Sequence, residues 1–235
     1  MDYIYHTKYQ VKSINKDLND HFAPWSILEL FQDVANMHVE SEEIGFSDLL
    51  RQNALWVLVG IKVEIISDVK DSCEVITWQA KKGRAEFIRN FLITKDGKDL
   101  VIGTSKWCLI DRSTRSILPS SIISKDISGT YREIEAIRKL NFDKLTKVSD
   151  QVLIKKSMID RNKHLNNCNY AKMIFDVIDI EDKYIKNFEI SFLNEALLGD
   201  VLEIRSEKID NCYLVEGYIK DLICFKAKIE VKNAL

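Results

Sequence analysis

The sequence predicts an α+β fold in two similar halves, each an antiparallel sheet wrapped around a central helix. Two observations carry this. Asn19-Asp20-His21-Phe22 resembles Asn162-Lys163-His164-Leu165, 143 positions further on, so the chain reads as a diverged duplication. The surroundings of the two histidines also match: a strand-like run before, a helical stripe after, then about four more strand-like runs.

The elements follow in order. Residues 9–14 read as the first strand, and Pro24 suits the first turn of a helix, where its missing N–H costs nothing. The helix carries the apolar stripe Ile27, Leu28, Phe31, Val34, Ala35 and His38. Strands are expected over 56–66, 73–80, 87–94 and 101–111, with Lys95-Asp96-Gly97-Lys98 as a hairpin turn. Residues 120–150 read as a linker, with a charged surface helix over 131–140. The second half opens with a strand over 151–158. Its helix has the stripe Tyr170, Met173, Ile174, Val177 and Ile178, with Asn166 or Asn167 as N-cap. Strands over 188–193, 201–208, 213–220 and 223–231 complete it, turning at Asp210-Asn211 and Lys220-Asp221. The expected domains are therefore 1–119, the linker 120–150, and 151–235.

Composition narrows the function classes. Hydrophobic residues at 46% and charged residues at 30% give a folded core, and a net charge of −2 offers no electrostatic footprint for nucleic acid. Five cysteines without CxxC spacing read as reduced thiols rather than a disulfide framework. The first residues lack a basic region followed by an apolar run, and no apolar stretch reaches membrane-spanning length. A soluble cytoplasmic protein with no membrane span is the expectation. A homodimer is one allowed assembly.

Chemistry concentrates in the second half. Asp160, Asn162 and His164 alternate, and an extended segment would put all three on one side, just before a helix N-terminus. Glu195 follows a strand and can be held at the sheet end near them. A carboxylate, an imidazole and an amide donor suffice to hydrolyse an activated acyl bond such as a thioester. The same short pattern also suits a polar turn that merely caps a helix. His21 reads as structural. Cys168, four residues after His164, could pair with it as a nucleophile but better fits a small buried core residue. No residue cluster has metal-ligand spacing, and no glycine-rich phosphate loop is present, so no cofactor is expected. Lys155, Lys156, Arg161 and Lys163 gather beside the motif, and Lys81, Lys82 and Arg84 form a second basic group. Such runs are usually solvated faces, but here they could receive an acidic partner.

From near Tyr9 to the last strand the chain resembles the acyl-ACP thioesterases, the group of the plant FatA and FatB enzymes and their bacterial relatives. Asp160-Arg161-Asn162-Lys163-His164-Leu165-Asn166-Asn167-x-x-Tyr170 matches a family signature. Thr104-Ser105-Lys106-Trp107 with Asp111-Arg112-Ser113-Thr114-Arg115 and Leu118-Pro119 resembles a second, and Leu55-Trp56-Val57-Leu58 a third. The resemblance implies a tandem (double) hotdog fold and hydrolysis of fatty acyl-ACP to free fatty acid and acyl carrier protein. It implies catalysis in the second hotdog by Asp160, Asn162, His164 and Glu195. It implies an acyl pocket mainly in the first, where Phe31, Ala35, Trp56 and Trp107 are the expected lining. The chain departs from the plant pattern twice. Ala196 stands where plant enzymes commonly have a cysteine, which removes a nucleophile there, and Asp111 replaces the usual Asn. On this reading Glu195 activates water, or attacks directly as a nucleophile. Asn162 and the helix amides hold the oxyanion, His164 polarises, and Asp160 fixes the loop. An acyl-CoA thioesterase and a non-catalytic acyl-binding module are the alternatives.

Overall fold

The computed structural model describes residues 3–80 and 82–233. Pro24 does open a helix: α1 runs Pro24–Ser41, and every member of its expected stripe is buried. The chain divides into two compact units, residues 1–15 with 29–137 and residues 16–28 with 138–235. The boundary at 137/138 falls inside the stretch expected as a linker, whereas those at 15/16 and 28/29 fall within the expected first domain, whose residues 16–28 belong to the second unit.

The first unit holds β1 (Ile4–Gln10), most of α1, a short α2 (Phe46–Arg51) that periodicity missed, β2 (Ala54–Ile65), β3 (Ser72–Gln79), β4 (Glu86–Lys95), β5 (Lys98–Asp111) and the two-residue β6 (Ile117–Leu118). Its strands pair antiparallel in the order β1-β3-β4-β5-β2. The second unit holds β7 (Val148–Leu153), α3 (Asn167–Asp176), β8 (Lys183–Phe192), β9 (Val201–Ile209), β10 (Cys212–Ile219) and β11 (Leu222–Asn233). Their order is β7-β9-β10-β11-β8, also antiparallel. In each unit the five long strands follow one scheme, first-third-fourth-fifth-second, which is the duplication in three dimensions.

The hairpin turns obey local chemistry. Between β4 and β5, Asp96 and Gly97 have φ of 51° and 73°, the doubly positive turn whose twist matches the flanking strands. The expected first strands of each half are shifted. β1 ends at Gln10 because the Asn15 side chain accepts from Lys12 N (3.0 Å) and turns residues 13–15 into a 3₁₀ coil. Residues 156–158 coil likewise, so β7 stops at Leu153.

The surface helix expected over 131–140 does not form. Tyr131 packs on Trp78 (5.4 Å between ring centres), and Ile134 covers the cluster of Ile76, Trp78 and Leu92. Arg132 pairs with Asp99, and Glu135 with Lys62 at 2.7 Å. Burial alternates along 131–135, so the segment lies extended over the sheet. Those contacts outweigh a helical preference worth only a few tenths of ~1 kcal/mol per residue.

In the first unit the helix meets the sheet closely. The Phe31 ring stacks on Phe91 at 4.3 Å and lies 2.3 Å from where a Cβ on Gly103 would stand. Both rings are fully buried. Gly103→Ala should therefore lower unfolding free energy by ~1–3 kcal/mol, as overpacking does, read as an earlier denaturant midpoint.

Candidate active site

Asp160 organises the candidate site by closing a tight turn. Its Oδ1 accepts from the backbone N–H groups of Asn162 (2.8 Å) and His164 (3.2 Å). Its own N–H donates to His164 O (2.9 Å), and Lys163 N to Asp160 O (3.0 Å). Lys163 takes a φ of 70° to complete the turn. This corrects the extended reading of 160–164. The Asp160 carboxylate faces the turn's own N–H groups, an Asx-type closure, and does not join Asn162 and His164 in a shared row. The Asn162 side-chain amide makes no hydrogen bond among the described residues.

The turn leads into α3. Asn166 is the N-cap and accepts from Cys168 N (2.9 Å), while Asn169 N donates to Asn166 O (2.9 Å). Two of the first-turn amides expected to face a ligand are thus already engaged. Asn167, the first helical residue, keeps an N–H with no place in the helix ladder. Cys168 is buried, as a packing residue would be.

Glu195 arrives three residues after β8, and Ala196 fixes it. Ala196 N donates to the Tyr170 hydroxyl (3.2 Å), and Ala196 O accepts from Leu165 N (2.9 Å). Burial, then the neighbouring Cys224, raises the Tyr170 phenol well above its ordinary pKa, so it stays a neutral acceptor there. Glu195 Oε2 lies 3.2 Å from His164 Nε2, with the two side chains 38% and 19% exposed. The pair is thus in reach of water. Ala196 itself is fully buried and carries no reactive group.

Of the sequence-chosen four, Glu195 and His164 meet directly, Asn162 shares the turn of His164, and Asp160 holds that turn together. Lys155, Lys156, Arg161 and Lys163 are all exposed. Lys82 donates to Ile123 O (3.0 Å), and Lys81 lies outside the described residues. The role of Tyr170 in fixing Ala196 was missed; a tyrosine on the buried stripe, whose hydroxyl needs a partner, was the available signal. Asp17-Leu18-Asn19-Asp20-His21 repeats the pattern of 160–164 and folds the same way. Asp17 Oδ1 accepts from Asn19 N (2.9 Å) and His21 N (3.0 Å), and Asp20 has a φ of 61°. There, however, the Asn19 amide donates to Ile180 O (2.7 Å) and Lys183 O (3.3 Å), and the His21 ring lies against Tyr184 (4.4 Å). The copy is consumed as structure.

In the first unit, Ala35, Trp56 and Trp107 do line one cleft, with Val39, Phe87, Gln79 and Arg89. Phe31 is not among its walls; it is spent on Phe91. Arg89 Nη1 lies 2.9 Å from His38 Nδ1. Burial, then the Arg89 charge, lowers the His38 pKa to about 4, with Glu42 opposing. An unfolded His38 binds a proton below pH ~6.5, whereas the folded one refuses it until about 4. Stability should therefore fall as pH drops from 6.5 to 4, by up to ~3 kcal/mol from this residue. Denaturation midpoints across that window check it, with His38→Gln showing a shallower fall.

Among the described residues no group of three or more His, Cys, Asp or Glu could hold a metal ion, and no helix is long and apolar enough to cross a membrane.

Two strand-wrapped helices of one topology make this a double hotdog protein. The crystal structure of an acyl-ACP thioesterase from Bacteroides thetaiotaomicron superposes with a TM-score of 0.86 at 24% identity, covering 98% of both chains. The 12:0-ACP thioesterase from Umbellularia californica gives 0.83 at 18% identity, covering 99% of this chain and 98% of that one. The acyl-ACP thioesterase N-terminal domain model matches residues 2–131, and the C-terminal domain model residues 143–232. The chain belongs to the acyl-ACP thioesterase family. The chloroplastic oleoyl-acyl carrier protein thioesterase of Coriandrum sativum is 24% identical over an alignment of 238 positions that covers 88% of this chain. The chain spans 46–63% of the length of the first curated relatives it matches.

Proposed function

We propose that the protein hydrolyses acyl thioesters, with acyl-ACP as substrate. Water and the thioester give a free fatty acid and the carrier thiol. The observation that carries this reading is the Glu195–His164 pair, 3.2 Å apart and reachable by water, with His164 on the turn that also carries Asn162. Glu195 takes a proton from water as its oxygen attacks the carbonyl carbon. The Asn162 amide, with the Asn167 N–H, receives the developing oxyanion. His164 holds the water and Glu195 in register. The C–S bond then breaks, and the proton passes to a thiolate whose ordinary pKa of ~8.5 lets it leave without a strong acid. Asp160 and Tyr170 act through others: one keeps the turn, the other keeps Ala196 and hence Glu195. The second unit carries the catalysis.

Carrier over CoA is supported by the surface beside the site. Lys155 and Lys156 follow Ile154, whose N–H and C=O bond Asp200 O (2.8 Å) and Gly199 N (3.0 Å). That joins the cations to a loop with exposed Leu197 and Leu198. Cations rimming exposed leucines suit an acidic protein better than a small nucleotide thiol. Reversing charge at Lys155 and Lys156 should raise KM for acyl-ACP several-fold, most at low salt, and leave acyl-CoA nearly unchanged. Steady-state kinetics on both substrates reads this. The broader test incubates the protein with acyl-ACP and acyl-CoA of equal chain length and quantifies acid and thiol. Stoichiometric release, faster from acyl-ACP, is expected. Faster release from acyl-CoA would make it a CoA thioesterase, and binding without release an acyl-binding module.

A further inference from the structure

Glu195 stands in the connection 193–200 between β8 and β9, in which Ala196 is the one buried residue. Exposed connections are among the more mobile parts of a fold. A general base must instead be held in place, since a misplacement of about 1 Å can cost ~10²-fold in rate. The bonds of Ala196 to Tyr170 and Leu165 fix one point of the loop. Asn194 and Asp200 add a fastening on each side of it.

On the entry side, Asn194 Nδ2 donates to Ile223 O (2.7 Å). The backbone N–H groups of Leu193 and Asn194 both donate to Cys224 O (2.8 and 3.2 Å). Ile223 and Cys224 belong to β11, the strand paired with β8, so the entry is tied to the sheet itself. On the exit side, Asp200 Oδ2 accepts from Leu197 N (2.8 Å), and Asp200 N donates to Leu197 O (3.1 Å). These bonds close 197–200 into a turn in which Gly199 takes a φ of 89°. The closed turn sets Leu197 opposite His164, with which it forms an isolated antiparallel bridge. The His164 side uses the same device, the Asp160 carboxylate closing its own turn. Each member of the pair thus stands beside a turn closed by an aspartate, and the two turns lie against each other.

We propose that Asn194 and Asp200 are positioning residues of the reaction, bracing the loop on both sides of Glu195 so that its carboxylate stays against His164. This rests on the thioester-hydrolase reading and deepens it. Neither residue touches the reacting atoms; both act through Glu195.

The test is a set of variants of the full chain, with rates read per folded protein below every denaturation midpoint. Asp200→Ala should lower kcat by ~10–10²-fold with KM little changed, because the base is displaced and substrate binding is not. Asp200→Asn keeps an oxygen that accepts from Leu197 N and should restore most of the rate. In a Glu195→Gln background Asp200→Ala should cost nothing further, since a brace acts only through the group it holds. An equal cost in both backgrounds would make Asp200 a plain residue of the fold and overturn the proposal. Should Asp200→Ala not fold, Asn194→Ala carries the same cycle, because the backbone bonds to Cys224 O remain.

Amide hydrogen exchange read by mass spectrometry needs no turnover, so it separates this proposal from the thioesterase reading. Asp200→Ala should speed exchange over 195–197 and, across the bridge, over 160–165; Asp200→Asn should not. Faster exchange confined to 197–200 overturns the brace even if thioesters are cleaved. Loosening of both turns supports it even if none is.

Discussion

Glu195→Gln should keep the fold and lower turnover of acyl thioesters by ~10²–10⁴-fold, the usual effect of losing a general base. The substitution preserves volume and leaves the bonds of Ala196 to Tyr170 and Leu165 in place. It removes the proton acceptor that His164 faces at 3.2 Å. Cys168→Ser should retain most activity, because that thiol is buried in the first turn of α3. Circular dichroism and denaturation midpoints confirm folding before rates are compared. A folded Glu195→Gln protein with near-normal turnover, beside an inactive Cys168→Ser, would reassign the chemistry to the cysteine.

Asn162→Ala should cost ~10²–10³-fold in turnover with a much smaller change in KM, since an oxyanion donor acts mainly in the transition state. The chain contains its own control. Asn19 occupies the matching position of the matching turn, but its amide is bound to Ile180 O and Lys183 O. Asn19→Ala should therefore lower stability by ~1–3 kcal/mol and leave turnover near normal. The opposite pattern would move the donor to the first copy.

The contrast between those two turns shows what the sequence could and could not convey. Asp-x-Asn-x-His is written at both 17–21 and 160–164, and the backbone reads both alike because Asx closure is local. Which copy retains a spare amide depends on residues 180–184, brought in from far along the chain, and no spacing rule reports that. The helix N-caps and hairpins were legible for the same local reason: Asn166, Asp96-Gly97 and Lys220 each act within a few residues. The stretch 131–140 was not. Its helical pattern loses to Trp78, Asp99 and Lys62, which lie 33 to 73 positions away from their partners. Glu195 could be chosen as a carboxylate after a strand, and the Tyr170–Ala196 bond that positions it needed the fold. Ala35, Trp56 and Trp107 line one cleft, but Phe31 is spent on Phe91 because Gly103 lets the helix approach.

Single turnover in oxygen-18-labelled water tests the central claim, that water is activated at the Glu195–His164 pair without an acyl-enzyme. Acyl-ACP is mixed with excess protein and quenched in time, and both acid and protein are weighed by mass spectrometry. The account predicts one labelled oxygen in the fatty acid, none in the peptide that carries Glu195, and no acyl adduct on Glu195 or Cys168 at any time. Label in the Glu195 peptide, or an adduct of acyl mass on either residue, would contradict it.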